Sequence, residues 1–275
     1  MLVDMGWGEI ASFAAAVAAA GVVSGLLAGI FGIGGGAVLV PVFYQVFGLF
    51  DIDESVRMHV SVGSSLAIII PTSLRSFFAH KARGFVDMDV LRSLALPVPA
   101  GVVLASLVAA YISSEGLRIT FAVLALVVGL RLLFNRDSWR LGTELPENLP
   151  RAGVGVVIGF FSTLMGIGGG VMNNTFMTLY GRGMLQAVAT SAGLGVLIAI
   201  PGTIGYIWAG WGNPLLPPAS TGYINWIAVA LVIPIALIIT PYGVRIAHSL
   251  SRRQLEIGFG LFCLLVSARF IVSLL

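Results

Sequence analysis

The stretch FGIGGGAVLVP, Phe31 to Pro41, puts four glycines into five residues inside a long apolar run. Glycine in a helix interior is less stable than alanine by about 1 kcal/mol, and consecutive glycines open backbone conformations closed to other residues. The stretch therefore predicts a helix that breaks before Ala37 and a short second helix after the break. A second use also fits, because glycines four apart let membrane helices cross closely. A nucleotide fingerprint is excluded: Ala37 stands where its last glycine belongs, an apolar helix rather than a strand comes first, and no Walker lysine follows.

Hydrophobic residues make up 58% of the 275 and charged residues 10%, against about 25% charged in an ordinary soluble domain. Apolar runs of the length a bilayer demands, about 20 residues, recur from Ile10 to Leu275, so the chain reads as an all-α polytopic membrane protein whose surroundings are lipid. Asn135 to Pro150 is the longest polar stretch and is too short for a core of its own, which excludes a catalytic domain in a loop and points away from an enzyme. Asp4 and Glu9 ahead of the first apolar run speak against a removable leader. Cys263 is the only cysteine, so no intrachain disulfide and no multi-cysteine metal site is expected. His59, His80 and His248 are too scattered for a metal and read as loop-edge residues, and no cofactor is called for. The pI near 9.4 comes from basic residues in short loops, which cytoplasmic retention explains better than nucleic acid.

The break occurs twice. GVVSGLLAGIFGIGGG (Gly21 to Gly36) and GVVIGFFSTLMGIGGG (Gly155 to Gly170) align without a gap, Gly25 falling on Gly159. Farther on, Ser61 to Pro71 falls on Ser191 to Pro201, Gly84 to Asp87 on Gly222 to Asn225, and Leu117, Phe121 and Arg131 on Leu255, Phe259 and Arg269. The chain divides into a first repeat over 1–134, a linker over 135–150 and a second repeat over 151–275. Each repeat reads as five hydrophobic segments: 10–31, 37–49, 58–79, 90–111 and 117–134, then 151–166, 171–180, 186–209, 223–241 and 254–275. The second segment of each is too short for an ordinary span.

Basic residues gather around Arg75 to Arg92, around the linker from Arg131 to Arg151, and at Arg245 to Arg253. The positive-inside rule makes all three regions cytoplasmic. The counterpart of the first is Gly210 to Thr221, without charge, and that of the third is Ser113 to Arg118, nearly neutral. Matched loops of opposite character, with an odd number of segments per repeat, predict two inverted-topology repeats, a cytoplasmic linker and both termini outside.

Irregular backbone at membrane depth is tolerated only where protein buries it or where it lines a wet cavity, and broken helices at matching places in two repeats point to the substrate site of a secondary transporter. The short helices after the breaks present amino ends, each with about half a positive charge, which favour a small anionic substrate; the helices that enter the breaks end there with the opposite sign. The candidate substrate-binding residues are Gly34, Gly35 and Gly36, Gly168, Gly169 and Gly170, the carboxamides of Asn173 and Asn174, and the hydroxyls of Ser61, Ser64, Ser65, Thr190 and Ser191. The hydroxyls have the alternative of bonding to their own helix, and the asparagines that of joining neighbouring helices. Arg75, Arg131 and Arg269 are candidate anion-attracting residues, with snorkelling to a helix end as the alternative.

At these residues the sequence resembles the TauE/SafE, or sulfite exporter, family of membrane permeases. The resemblance rests on the duplicated unit opening with GIGGG and a following proline, on Ala189-Thr190-Ser191, and on His80 with Gly84 and Asp87 after the third segment. Pro41 has Thr175 as its counterpart, and His59-Val60-Ser61 stands where the second repeat has Ala-Thr-Ser. The resemblance implies transport of sulfite, thiosulfate or organic sulfonates across a bacterial inner membrane. The expected function is a secondary transporter of such anions by alternating access, in the direction of export; an anion channel, or a permease for another small organic anion, would share the same cavity.

Overall fold

The computed structural model describes residues 7–31, 36–134, 141–142, 144–146 and 148–274. Its helices are α1 (Trp7–Phe31), α2 (Gly36–Leu49), α3 (Glu54–Ala82), α4 (Met88–Ser93), α5 (Pro97–Tyr111), α6 (Ser114–Phe134), α7 (Asn148–Leu164), α8 (Gly170–Leu179), α9 (Met184–Ala209), α10 (Trp226–His248) and α11 (Arg252–Val272). A two-stranded antiparallel ribbon, β1 (Ser220–Thr221) and β2 (Ile224–Asn225), precedes α10. Five helices among the described residues are long and apolar enough to cross a membrane: α3, α6, α9, and most of α10 and α11. Their outward faces carry exposed Val123, Val127, Ile204, Ile238, Leu261 and Leu265. An apolar surface that wide belongs in lipid rather than in water, and the chain is a multi-pass membrane protein.

The segments stand where hydrophobicity places them, with one difference. The expected run over 90–111 is divided into α4 and α5 by a turn at Leu94 to Leu96, because Pro97, which has no N–H to give, opens α5 at its first turn.

Both glycine-broken helix pairs double back. The Phe13 ring of α1 meets Phe50 edge to face, with centroids 4.9 Å apart, so α2 ends beside the start of α1. In the second pair the Leu141 N–H donates to the Leu179 carbonyl at 2.9 Å, so α8 ends beside the chain that leads into α7. Each pair is a helical hairpin, with Gly36 opening the returning helix of the first and Gly166 to Gly170 at the tip of the second. The first has its base at the start of α3, which follows α2 through a short turn. The second has its base at the far end of α3, where Arg151 reaches Ser93 on α4.

Packing between the halves is reciprocal. Helix α1 lies along α10 and α7 lies along α5, while α3 crosses α9 and α6 pairs with α11. A β-carbon at Gly25 would sit 3.2 Å from the Ala236 Cα, and at its counterpart Gly159 it would overlap the Val98 carbonyl oxygen. Between α6 and α11, a β-carbon at Gly129 would lie 2.9 Å from the Gly260 carbonyl oxygen, and Ser267 Oγ donates to the Ala122 carbonyl at 2.8 Å. In the register that matches Arg131 with Arg269, Ser267 is the counterpart of Gly129 and Gly260 that of Ala122, so the same contact is made in both directions.

The turns before α4 and α10 also agree. Gly84 and Gly222 both take positive φ, +74° and +54°. Three residues on, Asp87 caps α4 by accepting from the Val90 N–H, and Asn225 caps α10 by accepting from the Ala228 N–H.

Candidate functional site

The second break is built by two helix ends treated differently. At the end of α7 the Gly166 N–H donates to the Thr163 carbonyl and the Ile167 N–H to the Ser162 carbonyl. This is a Schellman motif, and its left-handed residue is Gly166 at φ +63°. The carbonyl end of α7 is thus partly closed on itself, and Ser65 on α3 occupies the Gly166 carbonyl at 2.8 Å. Helix α8 begins after Gly169, also left-handed at φ +73°, with no side chain capping it. Its first intrahelical bond runs from the Asn173 N–H to the Gly169 carbonyl. The N–H groups of Gly170, Val171 and Met172 therefore point out of the helix end without an intrahelical acceptor. Glycine serves at 166 and 169 because a side chain at positive φ costs about 1–2 kcal/mol.

The two tips meet. A β-carbon on Gly36, the first residue of α2, would overlap the Gly166 carbonyl oxygen and lie 2.7 Å from Ile69 Cδ1. Gly168 lies against Ile69 on α3 and Gly195 on α9. Ala37, at the amino end of α2, and Val171 and Met172, at that of α8, line one cavity of about 20 Å³, walled by Phe121 and Ala125 of α6 and Phe259 and Val266 of α11. Its lining side chains are apolar, and it has room for about one water. The first side chains of both short helices thus face one small apolar space beside α6 and α11.

Of the sequence candidates, Gly36, Gly168, Gly169, Gly170 and Ser65 come together at the tips; Gly34 and Gly35 lie outside the described residues. Asn173, Asn174 and Ser191 form a buried chain between α8 and α9. The Asn173 amide donates to Ser191 Oγ at 2.8 Å, and that hydroxyl donates to Asn174 Oδ1 at 2.8 Å. Asn173 Oδ1 is buried without a partner. The remaining hydroxyls are engaged with backbone. Ser61 donates to the Arg57 carbonyl, Ser64 accepts from the Asn225 N–H, and Thr190 accepts from the Asp87 N–H while donating to the Gln186 carbonyl. The last two tie the matching caps of α10 and α4 to α3 and α9.

The arginines part company. Arg131 is half-buried and donates to Thr175 on α8, whereas Arg269 and Arg75 are exposed. Thr175 is the residue that replaces the proline of the first repeat, so the departure supplies the partner.

Two buried groups were not singled out as site residues. Arg118, 6% exposed, pairs with Glu54 at 2.7 Å and donates to the Tyr44 hydroxyl at 2.8 Å. An arginine inside an apolar segment was its only sequence signal. The loop-edge reading of His59 is corrected: it is 2% exposed, inside α3, with its Nε2 3.1 Å from the Ile112 carbonyl.

Comparison with known proteins agrees with this architecture. The family model described as sulfite exporter TauE/SafE matches residues 17–270. A probable membrane transporter protein of Haemophilus influenzae is 32% identical over 247 residues, covering 90% of this chain and 94% of that protein. Another, of Methanocaldococcus jannaschii, is 27% identical over 244 residues, with 86% and 87% covered, and one of Bacillus subtilis is 23% identical over 257 residues, with 85% and 87% covered. No solved structure matches the chain.

Proposed function

The chain belongs to the sulfite exporter TauE/SafE family of membrane transporters, and from that premise we propose that it carries small sulfur-containing oxyanions by alternating access, with the anion held where the two hairpin tips meet. The observation that carries this reading is the unequal treatment of the helix ends at the second break. The α7 carbonyls are drawn back into a Schellman motif, while the α8 N–H groups stay unspent. Together with α2, whose first turn places Ala37 on the same cavity, they make a positive pole at which an oxyanion replaces missing hydrogen bonds. Sulfite and sulfonate suit such a pole because each presents several oxygens to several N–H groups.

The two halves are inverted-topology repeats in the inner membrane, with the 135–150 linker cytoplasmic and both termini outside. The hairpins entering from opposite ends of α3 support this, as do the traded contacts of α6 and α11. Access alternates when the α6–α11 pair moves off the tips, since a cavity of about 20 Å³ does not hold an oxyanion. Residues Asn173, Ser191 and Asn174 fix α8 against α9, so the pole keeps its aim while the lid moves. For an anion that moves alone, an inside-negative potential drives it outward by about 2.3 kcal/mol per charge per 100 mV, which makes export the downhill direction.

The test is sulfite flux in proteoliposomes. Wild type is expected to saturate with sulfite, and Gly169→Leu, folded by its thermal melt, to carry none. Undiminished flux in that variant would overturn the site, and unitary currents in a bilayer would replace the transporter with a channel.

A further inference from the structure

His59 sits on α3, one turn before Val62 and nearly two before Ser65, the residues on which the second hairpin tip rests. The Ile112 carbonyl beside its Nε2 can only accept, so Nε2 carries the ring hydrogen and Nδ1 of the neutral ring is a bare acceptor. No donor reaches Nδ1, which is buried. The ring lies on Tyr223, with centroids 4.6 Å apart and planes 30° apart, and Tyr206 stands behind Tyr223 at 6.4 Å. The Tyr206 hydroxyl is buried without a partner, as is Thr203 Oγ1 one turn earlier on α9. The two central helices, which cross here, thus hold three unspent polar atoms around one aromatic stack.

Burial at 2% exposure disfavours an imidazolium here, and the groups packed on the ring offset that cost. The turn after α5 presents the Ile112 carbonyl, and the segment before α10 presents the Tyr223 face, which attracts an imidazolium more than a neutral ring. The charged groups at the same end are engaged elsewhere: Arg57 with the Ile52 carbonyl, and Arg118 with Glu54 and Tyr44. Among the described residues no carboxylate pairs with His59. Tyr44 on α2, Tyr111 on α5, Glu115 on α6, Tyr206 on α9 and Tyr223 are the other titratable groups on the elements around this end of α3.

We propose that His59 is a proton-binding site that couples proton movement to passage of the anion. One proton passes from hydronium to the Nδ1 lone pair, an O–H bond breaking as the N–H bond forms, and the same proton returns to water when the site faces the other side. The resulting imidazolium keeps its Nε2–H on Ile112 and lies about 5–9 Å along α3 from the residues under the tip. A positive charge there favours an anion at the tip, and by linkage the anion favours the proton. One proton per monoanion cancels the charge moved, so a pH gradient rather than the membrane potential sets the direction.

The coupling rests on the transport reading above, while the proton site does not, and the experiment separates them. The protein has three histidines, so nitrogen NMR of histidine-labelled protein in lipid, assigned with His59→Gln, follows His59 directly. Glutamine can still donate to Ile112, which protects the fold. His59 is expected to gain a proton on acidification within the pH range over which the protein stays folded. In proteoliposomes, uptake of methanesulfonate is expected to follow an imposed pH gradient in the wild type. In His59→Gln it is expected to lose that dependence and to follow the potential instead. A His59 that stays neutral throughout, or a His59→Gln protein still driven by the pH gradient, would overturn the proposal. Wild-type protein without flux under either gradient would overturn the transport reading, and the NMR titration would then judge the proton site by itself.

Discussion

A β-carbon on Gly36 would lie 2.9 Å from the Cα of Ile167 and overlap the carbonyl just before it, so the amino end of α2 rests on the opposite hairpin tip without room for a methyl group. The two breaks, far apart in the chain, form one structure.

Gly36→Ala is therefore expected to push the tips apart, at a cost of about 1–3 kcal/mol for overpacking, and to abolish flux. Gly153→Ala, on α7 with nothing within 4 Å of the new carbon, is the control. It is expected to stabilise the helix by up to about 1 kcal/mol and to leave flux unchanged. Thermal melts in detergent and flux in proteoliposomes check both.

The hydroxyls divide by partner. Thr190→Val removes a bond to the α4 cap and is expected to lower stability by about 0.5–1.5 kcal/mol with KM unchanged. Ser191→Ala leaves Asn174 Oδ1 unpaired in a buried place and the Asn173 amide with only the Met177 sulfur, at about 1–3 kcal/mol, and lets α8 shift. Its KM for sulfite is expected to rise. A melt and a saturation curve for each variant distinguish them.

Arg131 and Thr175 are expected to act as a pair. Arg131→Gln and Thr175→Val together should cost less than the sum of the singles, with a coupling of about 0.5–3 kcal/mol in a double-mutant cycle on stability. Arg269→Gln, at an exposed matching position, is expected to stay within about 0.5 kcal/mol of wild type.

The Arg118–Glu54 pair gives a prediction of sign. Glu54→Gln leaves a buried guanidinium without its counter-charge and is expected to destabilise. Adding Arg118→Met removes that stranded charge, so the double variant should melt above Glu54→Gln alone.

The sequence carried the parts that local chemistry controls. GIGGG marked both breaks, the segments were apparent from apolar runs, and Gly84 to Asp87 matched Gly222 to Asn225 because each is a left-handed glycine followed by a helix cap. What it lacked were contacts between distant residues. Nothing local shows that Phe13 meets Phe50, so whether the short helices cross or return was open. Ser64 and Thr190 look like any small hydroxyls in membrane helices until Asn225 and Asp87 are seen to use them. His59 looks like a loop-edge residue near Asp53 and Glu54, and only the packing of Tyr223 against α3 makes it a buried one. Asn173 and Asn174 were visible as an oddity, but their joint hold on Ser191 was not.

The central claim, an oxyanion bound at the meeting of the tips, is tested most directly by the structure of the protein in lipid with 2-bromoethanesulfonate, located by the anomalous scattering of its bromine. The account predicts sulfonate density within hydrogen-bond reach of the Gly170, Val171 and Met172 N–H groups, with α6 and α11 displaced from the tips. A bromine peak elsewhere, or none at a concentration that saturates flux, would contradict it.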